Sequence, residues 1–200
     1  MTTKIFLVRH GEATHNRNGI FGGAKIDTDL TDAGINTAAS IGNKIKQFSS
    51  IKKIYSSPLK RSYDTANIIS RLVGGVPVVV DKNLREVDIG GFESLTTQQA
   101  RDKFPIEMKL FESPDLSQWS FPSGEGFDDI EARVLKIENL MRSSQDNIVI
   151  CAHAMLNRVI LYKLFPNQPD LWTDMRYPHN RIFEIEVIED GTMRVGRIDA

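Results

Sequence analysis

Short apolar runs alternate along this chain with longer stretches in which apolar residues recur every three or four positions. The runs 5–8, 54–56, 76–80, 148–151 and 182–188 predict strands, and several are apolar at every position, the pattern of strands covered on both faces. Asp190-Gly191 predicts a hairpin turn into a last strand over 193–198. Between the strands, Ile35, Ala38, Ile41, Ile45 and Phe48 share one helix face behind Thr31, a residue able to cap it. Ser57-Pro58 supplies a cap and a first-turn proline for a helix through Leu59, Tyr63, Ala66, Ile69 and Leu72 that stops at Gly74-Gly75. A third helix is expected from Phe127 through Ile130, Val134, Ile137 and Met141, and a fourth after His153 through Val159, Ile160 and Leu164. Strands alternating with helices predict an α/β fold, a three-layer α/β/α sandwich around a central, mostly parallel sheet. No repeat or low-complexity linker divides residues 1–200, so one domain is expected. Residues 105–126 hold three prolines, Trp119 and Phe121 without a period, which predicts an excursion over the sheet edge able to act as a lid.

Composition narrows the function more by exclusion than by indication. With 200 residues, 40% of them hydrophobic and 26% charged, the chain can bury roughly 70% of its unfolded surface and needs no covalent staples. Its one cysteine, Cys151, cannot pair within the chain, which fits a reducing compartment and excludes a cysteine-rich zinc module. Twenty-five basic and 26 acidic residues leave a net charge of -1, so no global field draws the chain to nucleic acid or to an anionic membrane. The first apolar run is too short for the core of a signal peptide, and no stretch approaches the ~20 apolar residues of a membrane span. A cytoplasmic location without a membrane partner is therefore expected, and any affinity for anions must be local.

The local chemistry collects at strand ends. Arg9 and His10 follow the first strand directly, and His153 lies two residues beyond Cys151 at the end of another. Ligands of open parallel sheets bind at the carboxyl ends of the strands, where the strand order reverses. Gly11 permits a tight turn after His10, and Ala154 opens a helix whose free N–H groups favour an anion.

Several ordered motifs extend this picture. Leu7-Val8-Arg9-His10-Gly11-Glu12, with Asn16 following, Asp29-Leu30-Thr31-Asp32-Ala33-Gly34, Ser56-Ser57-Pro58-Leu59-Lys60-Arg61 with Thr65-Ala66, Leu84-Arg85-Glu86, and His153 stand in sequence along the chain. Together they resemble the histidine phosphatase superfamily, which includes the cofactor-dependent phosphoglycerate mutases. The resemblance implies that His10 attacks phosphorus and becomes a phosphohistidine, that Arg9, Arg61 and His153 hold the phosphoryl oxygens with Asn16 and Ala154 at the phosphate site, and that Glu86 protonates the leaving oxygen. It implies a metal-independent phosphomonoesterase acting on a small phosphorylated metabolite, with no cofactor. Phosphoglycerate mutase is the alternative, and a non-catalytic phospho-ligand binding module a second one. The length of the chain and the stretch 85–93 resemble the phosphatase branch. Three positions depart from the family pattern: Ala154 for a glycine, Asp29 for a proline, and Ile20 where an arginine would contact substrate. Guanidinium groups suit this chemistry, because their forks match phosphoryl oxygens and their charge keeps a neighbouring imidazole neutral enough to attack.

Two further patterns compete. Asp27-Thr28-Asp29-Leu30-Thr31 spells the D-x-D-x-T of haloacid dehalogenases, but no hydrophobic strand precedes it. Cys151 could mimic a thiolate nucleophile, yet the position that such phosphatases give to arginine is Asn157, with Arg158 one residue late, so a buried inert cysteine is expected. No H-E-x-x-H or carboxylate cluster suggests a metal. His15 and His179 read as structural, and Asn180 as a neighbour of the site. Specificity is expected from residues 16–27 and 105–126, with Phe21, Trp119 and Phe121 available to an apolar leaving group.

Overall fold

The strand β1 (Thr3–Arg9) explains the architecture of the whole chain: Phe6 and Val8 on one face and Ile5 and Leu7 on the other are all inaccessible to solvent, so the strand must be covered twice. In the computed structural model, which describes residues 2–48, 50–174 and 177–200, it lies inside a six-stranded sheet. The other strands are β2 (Lys53–Ser56), β3 (Val78–Val80), β4 (Ile148–Ala152), β5 (Arg181–Val187) and β6 (Met193–Asp199), in the order β3-β2-β4-β1-β5-β6. The first four run parallel; β5 is antiparallel to β1, and β6 to β5. The hairpin between β5 and β6 turns at Asp190-Gly191 as expected, with Gly191 at φ 84.

Helices cover both faces. α1 (Thr14–Arg17) is one turn; α2 (Asp32–Phe48) and α3 (Lys60–Leu72) pack Ile41, Ile45, Ala66 and Ile69 against Phe6, Val8, Val149 and Cys151. On the opposite face, beyond α4 (Thr97–Lys103) and α5 (Pro105–Phe111), α6 (Phe127–Ser143) and α7 (Ala154–Leu164) set Val134, Ile137, Val159 and Ile160 against Ile5, Leu7, Ile148 and Ile150. The sheet with its two helical layers is the expected three-layer α/β arrangement. No described helix is long and apolar enough to cross a membrane.

Three local expectations change. Helix α3 begins at Lys60 rather than behind a Ser57 cap: Ser57 Oγ accepts only the N–H of Leu59, while the carboxylate of Asp27, from a distant loop, takes the N–H groups of Lys60 and Arg61. Residues 105–126 are not a bare excursion, since they form α5 and a 3-10 turn at Leu116–Gln118 and bury Trp119 and Phe121 in the core. Helix α4 is additional; Thr96 and Gln99 exchange hydrogen bonds of 3.3 and 2.9 Å between side chain and backbone, a capping box whose T-x-x-Q signature stands in the sequence.

The topology positions the site. Pairing of Arg9 with Ala152 in the β1–β4 register sets His10 beside His153 at the carboxyl ends of adjacent strands, where the strand order reverses. The loop after β1 then runs against the start of α2 with no room for side chains: a Cβ on Gly11 would lie 2.3 Å from the Gly34 carbonyl oxygen, and one on Gly34 2.1 Å from that of Glu12. Thr31 caps α2 as expected, its Oγ1 accepting the Gly34 N–H at 3.1 Å.

Candidate active site

His10, buried at the end of β1, has its tautomer set by its neighbours. A carbonyl oxygen can only accept, so the 2.7 Å contact between Nδ1 and the Gly11 oxygen puts the ring proton on Nδ1. Nε2 keeps a lone pair and receives the Nε–H of Arg61 at 3.2 Å. Burial first, then the neighbouring His153, Arg61 and Arg9, push the His10 pKa well below 6.5, so the imidazole is neutral at pH 7.

Arg61 is held so that one edge stays toward His10. Its Nη1 donates to the Ile26 carbonyl at 2.7 Å and to Asp27 Oδ1 at 3.2 Å, and Nη2 to the Gly23 carbonyl at 2.9 Å. Of five guanidinium protons, three go to Ile26, Asp27 and Gly23 and the Nε–H to His10, leaving one Nη2–H. The loop that supplies these carbonyls is pinned by Glu93, whose Oε1 accepts the N–H groups of Ala24 (3.1 Å) and Lys25 (3.2 Å). It passes close to its surroundings: Gly23 has φ +54, and a Cβ there would strike Glu93 and Ile89. Arg9 donates from Nη1 to the Tyr177 carbonyl at 2.7 Å, and burial lowers its pKa to about 10.

Glu86 reaches the site from the other side. Its Oε1 accepts the N–H groups of Val87 (2.9 Å) and Leu156 (3.1 Å), and its Oε2 that of Met155 (3.3 Å), so it sits on the N-terminus of α7. The segment carrying it is fastened by a buried ion network. Arg133 donates to both oxygens of Glu125 (3.0 and 2.9 Å) and to the carbonyls of Asn83 and Arg85, while Arg85 adds a second pair to Glu125.

Arg9, His10, Asn16, Arg61, Glu86 and Ala154 therefore line one cavity. His153 is fully buried rather than lining it; its ring centroid is 5.0 Å from that of His10, and its Nε2 is 2.8 Å from Ser57 Oγ. His15 and His179, read from the sequence as structural, also belong to this neighbourhood, with ring centroids 6.4 and 5.4 Å from His10. All four histidines of the chain thus surround one point, and His15 lines the cavity. Its position next to Asn16 was the available signal.

Arg158 is the other residue that sequence reading missed. Its guanidinium lies 4.9 Å above the Trp119 ring, gives its Nε–H to the Trp172 carbonyl at 2.6 Å, and lines the cavity with a pKa lowered to about 10 by burial. Ala154 and Arg158, four apart on α7, share a helix face, which is the pattern that could have found it. Trp119 and Phe121, expected to meet a leaving group, are core residues instead; Phe21 and Phe111 line the cavity. Asn180 gives its amide to the Ala200 carbonyl and is absent from the lining. Cys151 is fully buried beside Ser62, and burial pushes its thiol pKa up to about 12, the opposite of a thiolate nucleophile.

Comparison with known proteins gives concordant results. The profile of the histidine phosphatase superfamily (branch 1) matches residues 5–198. The 6-phosphofructo-2-kinase/fructose-2,6-bisphosphatase 1 of Mus musculus is 30% identical over 168 residues, which make up 84% of this chain and 34% of that relative. This chain spans about a third of the length of the curated relatives it matches. Among solved structures, Bacillus stearothermophilus YhfR superposes with a TM-score of 0.82 at 27% identity, over 97% of this chain and 95% of that one. A phosphoserine phosphatase of Entamoeba histolytica, in complex with 3-phosphoglyceric acid, shares the fold with a TM-score of 0.82 at 24% identity, over 99% and 97% of the two chains.

The histidine cluster makes stability depend on pH. Burial, reinforced by Arg9 and Arg61, lowers His15 to about 4; burial and Arg9 lower His179 to about 3; His10 and His153 also lie well below 6.5. In the unfolded chain each returns to ~6.5, so below that pH the unfolded state binds protons that the folded state refuses. Their contribution is complete above about pH 7 and is lost as the pH falls toward 4. Urea midpoints measured between pH 7 and pH 5 should fall steadily with acidification, with proton uptake on unfolding; a midpoint that stays level over this range would contradict the burial of neutral histidines.

Proposed function

Since the chain belongs to branch 1 of the histidine phosphatase superfamily, we propose that it is a phosphomonoesterase that hydrolyses a small phosphorylated metabolite through a phosphohistidine at His10. The observation that carries this reading is the state of His10: neutral, with Nδ1–H spent on the Gly11 carbonyl and the Nε2 lone pair turned toward Arg61. An imidazole so arranged is a nucleophile set beside the guanidinium that would hold an anion.

In the first step Nε2 bonds to phosphorus as the bond from phosphorus to the leaving oxygen breaks, and Glu86 gives that oxygen a proton. In the second, Glu86 takes a proton from water, the water oxygen bonds to phosphorus, and the P–Nε2 bond breaks to release phosphate. Arg9 and Arg61 neutralise the phosphoryl oxygens throughout, with Asn16, His153 and the Ala154 end of α7 completing the phosphate site. The leaving group meets Phe21, Phe111 and Arg158, a lining with apolar surface and one cation. Ile20 lines the same cavity, where a phosphoglycerate mutase would place an arginine, so the hydrolytic reading is preferred to the mutase alternative.

The reading is tested by screening many phosphomonoesters for phosphate release with a metal chelator present, alongside an assay of mutase activity on 3-phosphoglycerate. Guanidinium groups supply the charge that metals supply in other phosphatases, so turnover should survive chelation, and 3-phosphoglycerate should not be isomerised. Activity abolished by chelator and restored by magnesium would overturn this.

The role of Glu86 is tested with leaving groups of different basicity. An alkoxide must be protonated as it departs, whereas nitrophenolate leaves unaided, and general acid catalysis contributes ~10²–10⁴-fold where it is needed. Glu86→Gln should therefore lower kcat/KM far more for sugar or glycerol phosphates than for nitrophenyl phosphate. Equal losses in a folded variant would show that Glu86 positions the phosphate instead.

A further inference from the structure

We propose that Ser57 is a positioning residue that fixes the tautomer of His153, so that the Nδ1–H of His153 is offered to a phosphoryl group on His10. The inference rests on the phosphohistidine reading above and concerns a residue for which that reading has no role.

It follows from counting hydrogen-bond partners in a place without water. Ser57 is fully buried at the junction of β2 and α3, its backbone N–H tied to the Cys151 carbonyl at 3.1 Å, which brings its side chain to His153, two residues beyond Cys151. Its Oγ accepts the Leu59 N–H at 3.2 Å and lies 2.8 Å from His153 Nε2. Among the described residues, His153 Nδ1 is buried with no partner.

Burial, Arg61 and Arg9 keep this imidazole neutral, so it has one N–H to place. If that proton were on Nε2, donating to Ser57, the buried serine hydroxyl would have no acceptor and Nδ1 a lone pair without a donor. If Ser57 donates to Nε2, both of its functions are used and a single unfilled group remains, the Nδ1–H. Buried polar groups are almost always paired, so the second arrangement is selected. The one remaining donor sits in a ring whose centroid is 5.0 Å from that of His10. A donor left unfilled in the resting site and filled when the phosphoryl group arrives stabilises that state over the free enzyme.

The test is nitrogen-15 NMR of the histidine rings in the whole protein, repeated with inorganic phosphate added. In the unmodified protein His153 should carry its proton on Nδ1, and phosphate should move that N–H resonance. Ser57→Ala should lose the preference, with the Nε2–H form appearing and phosphate binding weakened about tenfold, the value of one hydrogen bond to a charged group. Ser57→Thr, which keeps the hydroxyl, should restore the Nδ1–H form. An Nε2–H tautomer in the unmodified protein overturns the proposal, as does an unchanged Nδ1–H form in folded Ser57→Ala, or an Nδ1–H resonance indifferent to bound phosphate. Should Ser57→Ala fail to fold, the tautomer and phosphate response of the unmodified protein decide. Failure of the phosphohistidine reading would look different: no turnover of any phosphomonoester, whatever tautomer His153 holds.

Discussion

A guanidinium N–H directed at the lone pair of a neutral imidazole, Arg61 on His10, is the contact on which the rest of the site depends. Neither partner could be placed this way in water, where the arginine would be hydrated and the histidine half protonated near its ordinary pKa. Burial removes that freedom, and the surrounding loops spend their carbonyl groups to hold the result. Gly23, Ile26 and Asp27 fix three of the Arg61 protons, Gly11 fixes the His10 proton, and the Nε–H of Arg61 goes to His10 Nε2.

This arrangement concentrates cationic groups. Arg9, Arg61 and Arg158 line the cavity, with Glu86 as the one carboxylate among its lining residues. Burying cationic groups away from water is unfavourable, and the pKa values of Arg9 and Arg158, both lowered to about 10 by burial, record that cost.

Sequence patterning predicted most of the frame because β1 and β4 contain uninterrupted apolar runs, 5–8 and 148–152, and the long helices carry clear periodicity. It placed Arg9, His10 and His153 at the carboxyl ends of strands, and the ordered motifs singled out Arg61 and Glu86; only the fold shows that the two strands are neighbours. What it missed depends on contacts between distant segments. Asp27 looked like a stray nucleophile motif, but its carboxylate caps α3 and braces Arg61, thirty-four residues away in sequence. His15 and His179 have no pattern of their own, and only the folded chain brings them around His10. Trp119 and Phe121 lie in a stretch without period because short turns of helix, each too brief to show one, carry them into the core.

The central claim is that His10 Nε2 forms a bond to phosphorus, and trapping that bond tests it most directly. A protein mixed with phosphorus-labelled substrate and quenched within milliseconds in alkali should carry label on a peptide containing His10, and the same label should be lost on acid quench, as a phosphoramidate requires. An acid-stable label, or a label on a peptide containing Asp27 or Cys151 in place of His10, would contradict the account.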